Sequence, residues 1–270
     1  MTATLILLAA SFGTASVGAL GGLGGAVLLV PLLVATGMPA SEAAPLGLIS
    51  VAAGSIAAGA LQLRERSVNH RLGVTTEVAA TLGATMGALA SGLVSDTVLG
   101  RVLAVVAAMA AVAMLRRRVV PHADEQDRVV GEWPGQIAGA AAIRDGTVVY
   151  RARRLPLGLG LMWVSGVVAG VAGAGGGFIK TPVTSDVLGI PTKVAAATTT
   201  FTIGVTAAAG LVVFVLQGRI QPQDAAAVIA GSLIGGQAGA RLQSLVPTAW
   251  IRAGLGIVLL AVAVLLWVTV

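Results

Sequence analysis

Residues 172–182 read AGAGGGFIKTP and residues 21–31 read GGLGGAVLLVP: two glycine-rich segments that end in proline, offset by 151 residues in a chain of 270. A second turn signal follows each, GMP at 37–39 and GIP at 189–191. Both segments lie inside long apolar stretches. Glycine admits backbone conformations closed to other residues, and proline withdraws an N–H donor and breaks a helix. Each stretch is therefore expected to be a broken helix, a feature tolerated at membrane depth where the backbone is buried in protein or lines a cavity. A repeat of this size suggests two halves of one membrane protein around a shared central site.

Composition supports that reading. Hydrophobic residues make up 56% of the chain and charged residues 10%, against roughly 25% charged in soluble domains. Several runs exceed about 18 residues with little or no charge, enough to span a bilayer as a helix. They are continuous rather than alternating, which argues against a β-barrel. The first apolar segment lacks a basic leader and is not expected to be a cleaved signal. The net charge is +6, but 11 of the 17 basic residues fall in two interhelical stretches, 64–71 and 116–155. That clustering fits cytoplasmic loops of a plasma-membrane (inner-membrane) protein better than a nucleic-acid face. There are no cysteines, so disulfides and thiolate metal sites are excluded. With two histidines, no buried histidine metal cluster is expected, and no cofactor is indicated.

The expected fold is an all-α polytopic membrane protein with two repeated halves of about four hydrophobic segments. Residues 1–115 form an N-terminal transmembrane repeat, 116–155 a basic cytoplasmic connector, and 156–270 a C-terminal repeat. The glycine-broken blocks are 4–36 and 156–187. Further helices are expected at 41–63, with Ser41 as N-cap, and at 72–94, 97–115, 191–216, 222–245 and 248–269. Within the connector, AAIRDGTVVYRARR suggests a β-hairpin turning at Asp145-Gly146. Gly83-x-x-x-Gly87 recurs as Gly235-x-x-x-Gly239, a spacing that lets helices approach closely in lipid. A broken block that crosses the membrane once makes the halves parallel. One that re-enters makes them inverted, an arrangement common in secondary transporters and preferred here.

Ionisable groups at membrane depth are expensive and are functional candidates by default. Lys180 is the strongest. It stands beside Gly175–Gly177 and two residues before Pro182, and its counterpart in the first half is Leu29, so the repeat architecture does not require the charge. An ammonium beside broken-helix N-termini suits a small anion; the alternative is a lysine that snorkels to the interface. Glu77, the most embedded acid, is a candidate for proton coupling, against a capping or interfacial role that is the favoured alternative for it as for the other acids. Glu42, Asp96, Asp186 and Asp224 read as capping or interfacial groups. Thr198, Thr199, Thr200 and Thr202 cluster after the second motif, where hydroxyls can replace part of a ligand's hydration shell or bond to helix carbonyls. No nucleophile–base–acid set and no Walker A sequence are visible, so neither an enzyme nor an ATP-driven pump is expected.

The paired motifs, GAGGGFIKTP followed by a small, threonine-rich helix and GGLGGAVLLVP, resemble the sulfite exporter TauE/SafE family, also called the toluene sulfonate uptake permease family. The resemblance covers essentially the whole chain. The first copy departs from it at Ala26, where a third glycine often stands. The resemblance implies an integral membrane permease for small, often sulfur-containing or organic anions. By motif, it implies a site at Gly173, Gly175, Gly176, Gly177, Lys180 and Pro182, mirrored by Gly22, Gly24, Gly25 and Pro31. Expected partners are a small anionic substrate, the lipid bilayer, a coupling proton or other ion, and a second copy of the chain. An anion channel and a non-transporting accessory protein are the alternatives.

Overall fold

A computed structural model describes residues 2–21, 25–64, 67–115, 131–143, 146–242 and 248–269. Five helices precede the central strands: α1 (Thr2–Gly21), α2 (Ala26–Ala35), α3 (Ala40–Arg64), α4 (His70–Ser91) and α5 (Asp96–Leu115). Five follow them: α6 (Leu155–Ala172), α7 (Gly177–Pro182), which continues into a π-helical turn at Val183–Val187, then α8 (Thr192–Leu216), α9 (Pro222–Leu242) and α10 (Thr248–Thr269). Among the described residues, α3, α6 and α8 are long and apolar enough to cross a membrane. Large apolar side chains cover the outside of the bundle, among them Val74, Val78, Leu82, Met86 and Leu89 along α4 and Ile257, Val264 and Trp267 along α10. An apolar exterior of this extent is unsuited to water and matches lipid.

Each glycine-rich block forms two helices rather than one interrupted span. In the second, Gly173, Gly175 and Gly176 all take positive φ, at 67°, 74° and 67°, a conformation that favours glycine over any residue with a β-carbon. The chain reverses there. Ser165 of α6 donates to the Gly176 carbonyl at 2.9 Å, Met162 packs with Val183, and the Arg153 N–H donates to the Leu188 carbonyl at 2.9 Å. The chain after the break thus runs back along α6 to the level where α6 begins. In the first block, Gly25 has φ of −63°; Gly22 and Gly24 lie outside the described residues. Pro31 is buried inside α2.

Helix directions follow from which residues meet. Leu48 packs on Gly210, Ser55 on Gly204 and Gly59 on Phe201, so α3 and α8 are antiparallel. Carbonyls of Trp163 and Val167 on α6 lie over Gly83 and Gly87 on α4, while those of Ala80 and Ala84 lie over Gly166 and Gly170. α4 and α6 are therefore parallel and share a glycine seam on both faces, close enough that a β-carbon at any of the four collides with backbone. α9 makes the same kind of seam with α1, where Gly231, Gly235 and Gly239 meet Leu8, Phe12 and Ser16. Small residues at four-residue spacing permit this approach.

The central segment forms a three-stranded antiparallel sheet of β1 (Gly131–Glu132), β2 (Ala138–Ile143) and β3 (Gly146–Arg151) in the order β1-β2-β3. The hairpin expected from sequence is present, but Gly146 is the first residue of β3 and pairs with Ile143. Residues 144 and 145, and with them the expected turn, lie outside the described residues. Ser41 does not cap α3: it lies inside the first turn, which starts on the Pro39 carbonyl, and its N–H donates to Asp96 at 2.8 Å. The β1 strand has no turn or alternation signal in its two residues.

Candidate functional site

The sheet docks where α4 and α8 begin. Asn69 is fully buried and ties three elements together. Its side chain accepts from the Leu72 N–H at 2.9 Å, capping α4, and donates to the Tyr150 hydroxyl at 3.2 Å. Its backbone N–H donates to the Thr198 hydroxyl at 3.0 Å. Burial pushes the Tyr150 phenol above its usual pKa, with the Asn69 bond opposing. Glu132 of β1 accepts from the N–H groups of His70 and Arg71, at 2.8 and 3.0 Å, a carboxylate at the positive end of α4. The opposite end is closed differently. Arg219, between α8 and α9, donates to the Ser41 carbonyl through Nε at 3.2 Å and to the Ser91 hydroxyl at 2.9 Å, and lies 4.6 Å from the Phe214 ring centroid. Burial pushes its guanidinium below the usual pKa, with Asp96 opposing. A cleft of about 250 Å³ opens there between Met38, Glu42, Arg219 and Asp224.

Between these ends lies a buried polar cluster. Lys180 of α7 is 2% exposed. Its Nζ donates to Glu77 Oε2 of α4 at 2.7 Å and to Thr206 Oγ1 of α8 at 2.5 Å. The Thr206 hydroxyl donates in turn to Glu77 Oε1. Thr206 is fully buried and Glu77 nearly so. Thr206 stands about 21 Å along a helix roughly 37 Å long, at 1.5 Å per residue, so the pair sits near mid-span. An ammonium has three donors, and two are engaged here. The break in the chain makes this placement possible: α7 starts at the Gly176 reversal, and four residues later its lysine meets two other helices.

The other residues singled out from sequence take distinct positions. Gly173 packs on the backbone of Ala44 and Gly175 on Val51, so the second break rests on α3. Gly177 is the first residue of α7 and Pro182 the last. Thr198 is bonded to Asn69, while the Thr199 carbonyl accepts from Thr202 at 3.4 Å. The Thr200 carbonyl accepts from Ser55 at 2.7 Å. The Thr200 and Thr181 hydroxyls are buried without a partner. Thr198, Thr199 and Thr200 are thus nearer the sheet than Lys180 is, and Gly25 and Pro31 belong to the other half. Glu42, Asp96 and Asp224 lie in the first turns of α3, α5 and α9, and Asp186 is exposed on the π turn.

Three residues were not anticipated. Thr206 continues the four-residue spacing of Thr198 and Thr202, a signal that the cluster TTTFT obscured. Asn69 was readable as an N-cap, but its reach to α8 and the sheet was not. Arg219 carried no local signal.

These features define an α-helical integral membrane protein with a charge pair held inside it. The family model described as "Sulfite exporter TauE/SafE" matches residues 7–266. The chain belongs to that family, and it is a membrane transport protein. No curated protein and no solved structure matches the chain.

Proposed function

We propose that this chain is a secondary permease for a small anion, of sulfite or sulfonate type, working by alternating access around its two glycine breaks. The observation that carries this is the buried Lys180. A charge at membrane depth is costly unless it is used, and this one is presented by a broken helix to the middle of the bundle. The third ammonium hydrogen and the unpartnered hydroxyl of the adjacent Thr181 supply donors for anion oxygens. Gly173, Gly175, Gly176, Gly177 and Pro182 set the break that presents Lys180. Thr198, Thr199 and Thr200 line α8 between the sheet and the pair. By motif, Gly22, Gly24, Gly25 and Pro31 are the counterparts of those glycines and Pro182 in the first half. The family membership supports the substrate class.

The halves act as inverted repeats with re-entrant first hairpins. Two contacts support this: the antiparallel crossing of α3 and α8, which occupy equivalent places in the two halves, and the return of Leu188 to the start of α6. The sheet end is cytoplasmic, supported by the basic stretches that converge there. The reading is tested with the purified full chain. Thermal unfolding is measured against sulfite, sulfate, thiosulfate, sulfonates and carboxylates, because a ligand of the folded state raises apparent stability. Flux of the stabilising anion is then measured in proteoliposomes. Stabilisation by a sulfur oxyanion with saturable flux is expected; no stabilisation and no flux with any of the panel contradicts it.

A further inference from the structure

We infer that anion binding at Lys180 is tied to protonation of Glu77, so that one proton travels with each monovalent anion, a step that rests on the permease reading above. The ammonium is already matched one-to-one by the Glu77 carboxylate at 2.7 Å. An anion that joins the cluster as it stands turns a neutral site into one of net charge −1. Uncompensated charge in a site with almost no solvent contact is strongly disfavoured. A proton on Glu77 removes that cost. The proton comes from solvent onto a carboxylate oxygen, and the bond from Lys180 Nζ to Oε2 breaks. Nζ then bonds an oxygen of the anion. The net charge is zero before the exchange and zero once both the proton and the anion are bound.

The geometry fits each part of this exchange. Thr206 bridges the two charged groups, since its hydroxyl accepts from Lys180 and donates to Glu77. A hydroxyl can reverse its donor and acceptor roles, so it can accept from a protonated Glu77 without any change of position. No other described charge is placed to compensate instead. α4 packs on α6 and α8. α6 has no ionisable residue, and the single ionisable residue of α8, Lys193, is in its first turn. His70 and Arg71, two turns back on α4, are held by Glu132. Asp186 on the π turn is exposed and bonded to Ser185. On α5, which packs on α7, Asp96 is at the far end, bonded to Ser41, and Arg101 is exposed.

The test measures protons taken up as anion binds. The full chain is purified in detergent with an indicator dye and minimal buffer. The probes are methanesulfonate and toluenesulfonate, whose charge does not titrate in the working range. Wild type is expected to take up about one proton per anion, with affinity falling about tenfold for each unit of rising pH while Glu77 is ionised. Glu77→Gln is expected to bind with no proton uptake and no pH dependence. Glu77→Asp, which keeps a carboxyl, retains the uptake and guards against a misfolded glutamine variant; size exclusion and thermal unfolding verify both. Binding by wild type without proton uptake, or uptake that persists in Glu77→Gln, overturns the inference and leaves the permease standing. No binding of either probe by wild type removes the sulfonate permease reading and the inference with it.

Discussion

Shifted by the 151-residue offset, Lys180, Glu77 and Thr206 correspond to Leu29, Val228 and Ser55. The first trio is a charge pair bridged by a hydroxyl. In the second, Leu29 and Val228 are fully buried members of one apolar cluster, and Ser55 bonds to backbone: it donates to the Thr200 carbonyl at 2.7 Å and accepts from the Gly204 N–H at 3.2 Å. Equivalent places in the two halves therefore do different work. One holds a buried charge pair, and the other packs the helix that carries the threonines. The two ends differ in the same way. Asn69 and the sheet close one, with Ile220 at the equivalent position of the other half, where the neighbouring Arg219 forms the clamp.

The comparison can be broken most severely at the pair itself. Lys180→Met leaves the Glu77 carboxylate buried and alone, and is expected to cost about 3–5 kcal/mol of stability, read by thermal unfolding, together with all anion flux. Adding Glu77→Gln is expected to restore most of the stability and none of the flux. The converse places a lysine in the apolar half. Leu29→Lys is expected to destabilise by several kcal/mol, because the new ammonium is buried among aliphatic groups. Val228→Glu in the same chain is expected to recover part of that loss, since it supplies the missing partner; equal loss in the double variant contradicts the equivalence of the two places.

Smaller effects are expected at the ends. Asn69→Ala removes the α4 cap and the side-chain tie to Tyr150, and is expected to cost about 1–2 kcal/mol and to raise hydrogen exchange in β2 and β3 above that in α9. Tyr150→Phe removes one of these bonds and is expected to cost about 0.5–1.5 kcal/mol, with the Thr198 bond intact. An equal rise in exchange across both ends contradicts the separate closures described here.

Much of the frame was legible in the chain because helix length, glycine breaks and turn residues are local properties. The six longer helices outside the glycine blocks begin close to the positions that apolar runs and Pro or Ser signals suggest. The blocks at 4–36 and 156–187 were readable as broken, with a re-entrant course preferred, but the contacts at the second break were not legible: Ser165 on the Gly176 carbonyl and the Arg153 N–H on the Leu188 carbonyl join residues that sequence alone does not pair. Lys180 and Glu77 each stood out as a charge in apolar surroundings. Their pairing was not legible: they lie 103 residues apart, on helices brought together by the α4–α6 glycine seam. Thr206 was hidden for the same reason, because its hydroxyl matters only once both charges are beside it.

The most direct test compares anion flux in proteoliposomes made from wild type and from the Lys180→Met, Glu77→Gln double variant, at equal protein and with unfolding temperatures matched. Saturable flux in wild type and background flux in the double variant is the predicted result. Undiminished flux in a folded double variant contradicts the assignment of the buried pair as the place where the anion binds.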